Sequence, residues 1–217
     1  MSKALAAVVA WVLAASLSWL PVPVVGQPGP FSKSALNGET PDAYLARREA
    51  IARDAVAVAF DPAEAPVFDG PTARADTALL MMAIARFESG YDLLVDDGRV
   101  VGPMGESCVM QVMVDAAYKK GVGMITREGW TARELVLDRQ KCMRAALHKL
   151  QVSRSICTDA KHPQNASHKA LVGADAFGLY VGTRCVEGSV YAAHRYDLAR
   201  KWAAGHPAPS TSASTAP

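Results

Sequence analysis

The stretch ALLMMAIARFESGYD, residues 78–92, decides the fold because it joins a long apolar run to a short polar end. The segment from about Ala73 to Ser89 predicts a helix, since large apolar side chains recur on it at Leu79, Leu80, Ile84 and Phe87. Gly90 follows, and a glycine directly after a helical run is typical of a helix carboxyl end. The sequence therefore predicts a core helix with Glu88 in its last turn.

Other segments also carry helical rather than strand periodicity, and together they predict a mainly α domain of six helices. Thr40 and Pro41 provide an N-cap and a first helical residue for a helix up to about Phe60. The capping box Thr131-Ala-Arg-Glu134 opens a short helix. Further cap residues predict helices from Asp138 to about Val152, from Ser167 to Tyr180 and from Ser189 to about Ala203. The Gly- and Val-rich segment 92–114 predicts a loop or a small hairpin.

Length and composition limit the class of protein. A chain of 217 residues corresponds to one domain or at most two small ones. Half of the residues are hydrophobic and 20% are charged, which is typical of a globular chain with a real core. The 23 basic and 21 acidic residues leave a net charge of only +2, so there is no basic surplus to neutralise a row of phosphates. We therefore expect no nucleic-acid partner.

The amino-terminal segment has the character of an export signal. After Lys3, the run from Ala4 to Leu20 carries no charge, and Val24 and Gly26 precede a plausible cleavage point at Gln27. Residues 1–26 are therefore predicted to be a signal peptide. Because a membrane-spanning helix needs about 20 apolar residues, this run is slightly short for a permanent anchor. An uncleaved amino-terminal anchor remains the alternative.

Beyond this segment, composition divides the chain into three parts. Residues 27–37 are rich in Pro, Gly and Ser and predict a linker. Residues 38–205 form the predicted folded unit, and residues 206–217 form a Ser/Thr/Ala/Pro tail that we expect to be disordered. The predicted location is the bacterial periplasm or the exterior, with membrane tethering if the first segment is not cleaved.

The four cysteines favour disulfides. They form an even set within the exported part, and an oxidising compartment allows them to pair: Cys108, Cys142, Cys157 and Cys185. Zinc sites usually contain closely spaced ligand pairs such as CxxC, and these cysteines are too far apart for that pattern. The five histidines show no ligand spacing either. Two disulfides and no metal are therefore expected, with three pairings open.

Glu88 is the candidate for chemistry because the common catalytic motifs are absent from the sequence. There is no HExxH, GxxxxGK[ST], GxSxG or GxGxxG. A carboxylate at a helix carboxyl end lies near the negative pole of the helix dipole, and Phe87 and Tyr91 can exclude water from it; both effects favour the protonated form. Glycoside cleavage needs such an acid. The alternative is an ordinary solvated residue at a helix end.

Two motifs resemble those of a known enzyme family. ALLMMAIARFESGYD resembles the catalytic helix of the lytic transglycosylases of the soluble, lysozyme-like superfamily, where a Glu-Ser pair ends an apolar helix before an aromatic residue. Glu88 and Ser89 match that pair. The family's second motif is a glycine-containing loop that ends in Met-Gln and an aliphatic residue, and GESCVMQVM supplies Met110 and Gln111. Cys108 stands where the family usually has Gly.

Two later segments extend the resemblance to about Leu79–Trp202. LDRQKCMRAALHKL is similar to the family's helix that begins with Asp-Pro and runs to Asn-Ile, with Cys142 at the Asn position. FGLYVGTRC resembles the helix that carries an Ala-Tyr-Asn segment. Tyr180 matches the Tyr, whereas Val181 replaces the Asn.

The resemblance implies a lysozyme-like helical fold with a small hairpin region lining a glycan cleft. Glu88 would be the single acid/base, and Ser89, Met110, Gln111 and Tyr180 would bind substrate. The substrate would be the MurNAc–GlcNAc bond of peptidoglycan glycan strands, and the product would end in 1,6-anhydroMurNAc. The resemblance implies a monomer that uses no cofactor and, after signal cleavage, has no membrane contact.

The two cysteine departures imply a disulfide pairing. If the family's loop Gly and helix Asn are neighbours in space, their replacements Cys108 and Cys142 can bond, which leaves Cys157 for Cys185. Each bond would contribute about 2 to 4 kcal/mol to the stability of the domain.

Two other functions stay open. A hydrolytic lysozyme on the same fold would use water as acceptor and would favour a second carboxylate, for which the downstream candidates are Asp92, Asp96, Asp97 and Glu106. A non-catalytic exported domain would bind glycan or a partner. The presence of Glu88, Ser89 and Gln111 argues against such a binding domain, while the departures at Cys108 and Val181 argue mildly for it.

Overall fold

The structure is a computed structural model that describes residues 2–19, 37–103, 105–114, 126–182 and 184–210. The helices are α1 (Lys3–Ser18), α2 (Pro41–Ala59), α3 (Ala73–Glu88), α4 (Leu93–Asp96), α5 (Ala132–Leu137), α6 (Arg139–Thr158), α7 (Gly178–Val181) and α8 (Cys185–Gly205). The strands β1 (Glu106–Ser107) and β2 (Val112–Met113) form an antiparallel pair. The predicted mainly α class is confirmed. The predicted linker lies outside the described residues except for Asn37.

The helix α3 lies at the centre of the fold. It packs against α1, α2, α6 and α8, and every residue from Ala75 to Ala85 is buried. A helix that is apolar on all faces is stable only when other elements cover it on all sides. Each large side chain buried here contributes about 1.5 to 3 kcal/mol. The predicted helix is confirmed with its last residue at Glu88 and Ser89 as its C-cap.

Local capping signals explain where two other helices begin. Thr40 Oγ1 accepts a hydrogen bond from the backbone N–H of Ala43 at 3.2 Å, as the sequence predicts for α2. The capping box of α5 is also present, since Thr131 and Glu134 bond each other's backbone N–H groups. The backbone hydrogen bond from Thr131, followed by the contact with Lys141, lowers the pKa of Glu134 to about 2. These two predicted helix starts are confirmed.

The segment 92–114 contains both a helical turn and a hairpin. Asp92 caps the single turn of α4 by accepting a hydrogen bond from the N–H of Leu94 at 2.7 Å. The register of the hairpin pairs Glu106 with Met113 and Ser107 with Val112. The expected loop or small hairpin is therefore present, and α4 adds to it.

Two predicted helix boundaries differ from the structure. The helix α6 continues to Thr158 instead of ending near Val152, because Ser153 and Cys157 are buried against later parts of the chain. The helix α8 begins at Cys185, four residues before the predicted cap Ser189. Cys185 is tied to Cys157 by a disulfide, so a tertiary bond rather than a side-chain cap marks this helix start.

The predicted helix from Ser167 to Tyr180 is wrong. The structure has turns up to Val172, a 3₁₀ turn over Gly173–Phe177 and then the short α7. The Asn165 amide donates to the carbonyls of Cys157, Asp159 and Lys169 at 3.0, 2.9 and 2.7 Å, and Ser167 Oγ donates to Asn165 Oδ1 at 2.5 Å. Side chains that bond the backbone in this way compete with helix formation.

The short helix α7 crosses the start of α8 at very close range. A Cβ atom added at Gly178 would lie 1.9 Å from the carbonyl oxygen of Cys185, and one at Gly188 would lie 1.7 Å from the carbonyl oxygen of Gly178. Only glycine fits at both positions. This crossing brings Tyr180 of α7 toward the end of α3.

The helix α1, which falls within the predicted signal peptide, packs against α2 and α3. Val8, Val9 and Val12 are buried in the main core. Arg48 of α2 is fully buried and donates to the carbonyl of Ser16. Within the described ranges, none of the helices combines the length and apolar character that crossing a bilayer requires.

The start of the predicted tail contacts the domain. The ring of His206 stacks on that of Trp202 with centroids 3.7 Å apart. The carbonyl of His206 accepts a hydrogen bond from the indole N–H of Trp11 at 2.8 Å. Residues 206–210 are described, and residues 211–217 of the tail lie outside the described part of the chain.

We expect Gly188→Ala to lower the free energy of unfolding by about 2 kcal/mol or more, because the added methyl group forces α7 away from α8. Urea denaturation of the oxidised full chain measures this change. Gly205→Ala is the matched control on the same helix, since its added Cβ meets nothing within 4 Å. The control should be neutral or stabilise by up to about 1 kcal/mol. Equal midpoints for the two variants would contradict the close crossing.

Candidate active site

Glu88 lies at the carboxyl end of α3 and forms an ion pair with Arg195 of α8. Arg195 Nε and Nη2 lie 3.0 and 2.6 Å from Glu88 Oε1, so both N–H groups bind the same carboxylate oxygen. The Glu88 side chain is 20% exposed and that of Arg195 is 13% exposed. The carboxylate is therefore partly desolvated, as expected. The guanidinium of Arg195 is the cationic partner of this carboxylate.

Arg195 is itself held in place by two further contacts. Its Nη1 donates to the carbonyl of Tyr191 at 2.6 Å, and its guanidinium carbon lies 5.3 Å from the centroid of the Phe87 ring. Sequence reasoning missed this residue, because 107 positions separate it from Glu88. The only signal for Arg195 in the sequence was its place on the apolar face of the helix that follows the segment FGLYVGTRC.

Tyr180 joins the hairpin to the surroundings of Glu88. Its hydroxyl donates to the carbonyl of Met110 at 3.0 Å. Burial raises the pKa of Tyr180 well above its usual value, and the negative charge of Glu88 raises it further, while Arg195 opposes this. Tyr180 is therefore a neutral hydrogen-bond donor close to the carboxylate.

The turn of the hairpin has an unusual backbone. Cys108 and Gln111 have φ values of 62° and 47°, in the left-handed region that favours glycine. The resembling family has Gly at the position of Cys108, and here the cysteine keeps a backbone conformation that suits glycine. Gln111 Nε2 donates to the carbonyl of Cys108 at 3.2 Å, which closes the turn on itself. The Met110 side chain is fully buried and belongs to the core.

The disulfides hold these segments together. Cys108 is bonded to Cys142 and Cys157 to Cys185, the same two pairs that the resemblance implied. The first bond fastens the hairpin turn to α6. With 34 and 28 residues separating the bonded cysteines, each bond stabilises the domain by about 3 to 4 kcal/mol on the chain-entropy account.

The Ser89 hydroxyl is committed to the backbone. It donates to the carbonyl of Ala85 at 3.0 Å and accepts from the N–H of Tyr91 at 3.2 Å. Tyr91 is fully buried, and its hydroxyl donates to the carbonyl of Met82 at 2.7 Å. Ser89 thus shapes the turn after Glu88, and its expected contact with substrate stays a prediction.

All four candidate second carboxylates have structural contacts. Asp92 caps α4, and Asp97 forms an ion pair with Arg99 at 2.6 Å. Asp96 is buried and pairs with Arg139 at 2.9 Å. The fourth, Glu106, is half-buried in β1. Asp92, Asp96 and Asp97 are therefore engaged in holding the fold around α4.

A groove lined by β2 and α6 does not include Glu88. It has a volume of about 480 Å³ and lies between β2, α6 and the segment 126–128. Leu179 lines one end, next to Tyr180 in the chain, and Lys149 Nζ lies 5.4 Å from the centroid of the Tyr180 ring. The pocket lined by both Tyr180 and Arg195 has only about 10 Å³. The groove that Leu179 lines has room for a sugar ring, whereas the pocket beside Arg195 does not.

A histidine between two carboxylates lies along this groove. His148 Nδ1 is 2.5 Å from Glu128 Oε1, and His148 Nε2 is 2.9 Å from Glu64 Oε2. Burial acts to raise the pKa of Glu128, but hydrogen bonds from His148 and Thr126 bring it below its usual value. Arg144 also binds Glu64 at 2.8 Å. In the portion of the chain that the structure describes, no group of acidic, His or Cys side chains is arranged to hold a metal ion.

Comparisons with family models, curated proteins and solved structures give no match to this chain. The resemblance to lytic transglycosylases therefore depends on the four sequence motifs.

We expect Tyr180→Phe to lower the free energy of unfolding by about 1 to 2 kcal/mol, because it leaves the buried carbonyl of Met110 without its donor. Tyr191→Phe is the control, since Tyr191 is a tyrosine of α8 that is 61% exposed. Urea denaturation of both variants measures the difference. A loss of the same size in Tyr191→Phe would argue against the Tyr180–Met110 bond.

Proposed function

We propose that this chain is an exported lytic transglycosylase that cleaves the MurNAc–GlcNAc β-1,4 bond of peptidoglycan. The observation that carries the proposal is the meeting of all four motif segments in space. Glu88 pairs with Arg195, which lines one small pocket with Tyr180. Tyr180 bonds the turn that contains Met110, and a disulfide ties that turn to the helix of Cys142. A series of contacts thus links segments spread over about a hundred residues to one partly buried carboxylate.

The proposed reaction uses Glu88 twice. As an acid it gives a proton to the glycosidic oxygen, the bond from MurNAc C1 to that oxygen breaks, and GlcNAc leaves with a free hydroxyl. As a carboxylate it then takes the proton of the MurNAc 6-hydroxyl, whose oxygen bonds to C1 and closes the 1,6-anhydro ring. The N-acetyl group of the substrate takes the place of a second carboxylate. Each proton given is recovered, so the reaction needs no cofactor.

Two features of the structure support this chemistry. The groove that Leu179 lines, next to Tyr180 in the chain, has the volume of a ligand-binding site. The four candidate second carboxylates, Asp92, Asp96, Asp97 and Glu106, all have other contacts, which favours the transglycosylase over a hydrolytic lysozyme that needs a carboxylate to activate water.

The ion pair itself favours a second candidate, a non-catalytic glycan-binding domain. In that case Glu88 and Arg195 would only join α3 to α8. This second candidate would explain why the Glu88 carboxylate is held in an ion pair and why the pocket lined by Arg195 has only about 10 Å³.

The proposed location is the periplasm or the exterior. Its support is the pair of disulfides, which persist in oxidising compartments, together with the apolar segment at residues 4–20.

We expect the oxidised full chain to release 1,6-anhydro-muropeptides from purified peptidoglycan and Glu88→Gln to release at least about a thousandfold less, because an amide cannot exchange the proton. Mass spectrometry of the soluble products measures both. The full chain is used because α1 packs against the core. Glu49→Gln is the control, since this glutamate lies on the exposed side of α2.

Two other results would decide for the alternatives. Reducing-end muropeptides that disappear in Glu88→Gln would identify a hydrolytic lysozyme. An absence of soluble products from the wild-type chain, combined with binding to peptidoglycan that Glu88→Gln retains, would identify the binding domain.

A further inference from the structure

Within the described part of the chain, Glu88 accepts hydrogen bonds through only one of its two carboxylate oxygens. Arg195 gives both Nε–H and Nη2–H to Oε1, at 3.0 and 2.6 Å. A carboxylate oxygen that accepts two charged N–H donors has its lone pairs occupied and is a poor site for a proton. The other oxygen, Oε2, accepts no bond from the described residues.

Arg195 is held rigidly enough to keep this asymmetry. Its third nitrogen donates to the carbonyl of Tyr191 one turn earlier in α8, and the guanidinium lies over the Phe87 ring. With its side chain 13% exposed, Arg195 has little freedom to exchange partners with water. Phe87 and Glu88 are neighbours in α3, so one guanidinium contacts two consecutive residues of that helix.

The other titratable groups around Glu88 and Phe87 do not hold one carboxylate oxygen as Arg195 does. Tyr180 of α7 is buried and neutral, and its hydroxyl is used by Met110. On α8, His194 faces the Phe87 ring with centroids 6.2 Å apart. Arg86 of α3 points toward α1, where its Nε lies 3.3 Å from the carbonyl of Trp19.

We propose that Arg195 is a positioning residue that holds Glu88 by Oε1 and so leaves Oε2 as the atom that gives and takes the proton. The inference rests on the proposed function, because it assigns the proton transfers of that reaction to one oxygen. Arg195 acts through Glu88 and does not itself touch the sugar. It also stabilises the carboxylate between the two proton transfers, where the helix end alone would destabilise the negative charge.

The test compares Arg195→Ala, Arg195→Lys and Arg200→Ala in the full chain. Arg200 lies on the same helix, is about half exposed and reaches Asp76 only at 3.9 Å, so it controls for the loss of a cation from α8. With soluble peptidoglycan glycan strands as substrate, we expect Arg195→Ala to lower kcat about 30- to 100-fold and to change KM less than threefold. Arg195→Lys should keep an intermediate kcat, and Arg200→Ala should match the wild type.

Chemical rescue separates positioning from a structural role. Added guanidinium at low millimolar concentration should restore kcat of Arg195→Ala at least tenfold, and ammonium at the same concentration should not, because only the planar ion offers two parallel N–H donors. A wild-type kcat in Arg195→Ala would overturn the proposal. So would a loss of kcat in a folded Arg195→Ala that guanidinium leaves unchanged.

A readout without activity keeps this test distinct from that of the proposed function. The Arg195 Nε–H resonance in a ¹⁵N-labelled chain should be shifted and protected from exchange in the wild type and lose both properties in Glu88→Gln. If that signal behaves as expected but the wild type releases no anhydro product, the ion pair is confirmed and the proposed function is wrong. The positioning role is then wrong as well, because it depends on that function. If Glu88→Gln leaves the signal unchanged, the pairing itself is wrong.

Discussion

The burial of α3 on every side is the constraint on which the rest of the structure depends. A helix that is apolar all round must be covered by α1, α2, α6 and α8, so the chain has to wrap around it. The helix reaches the surface only at its ends. At the carboxyl end, Ser89 and Tyr91 bond back to the carbonyls of Ala85 and Met82, which fixes the direction in which the chain leaves. Glu88 is consequently held at one defined point between core and solvent.

Three later segments are each held by a bond that is specific in geometry. The hairpin turn is tied to α6 through Cys108 and to α7 through the Tyr180 hydroxyl. The helix α8 is attached through Arg195. The disulfide also explains how a cysteine can occupy a backbone conformation that suits glycine: the covalent bond to Cys142 can offset the cost of a positive φ.

The ion pair gives the site its chemical character. Glu88 lies at the carboxyl end of α3 next to Phe87, and Arg195 supplies an opposite charge within hydrogen-bond distance. The same pair is compatible with an acid/base that works through its free oxygen and with a purely structural link between two helices.

The sequence by itself determined the elements whose signals are local. The apolar run of α3, the Thr40 cap and the Thr131–Glu134 capping box all act within a few residues, and so the positions of α2, α3 and α5 could be predicted. Tertiary structure decided the elements whose partners are distant. Asn165 donates hydrogen bonds to carbonyls that precede and follow it in the chain, and turns form there instead of the predicted helix. The disulfide of Cys185 with Cys157 marks the start of α8 four residues before the predicted cap. Arg195 belongs to the same group, because only folding brings α8 to the end of α3 and places a cation against Glu88.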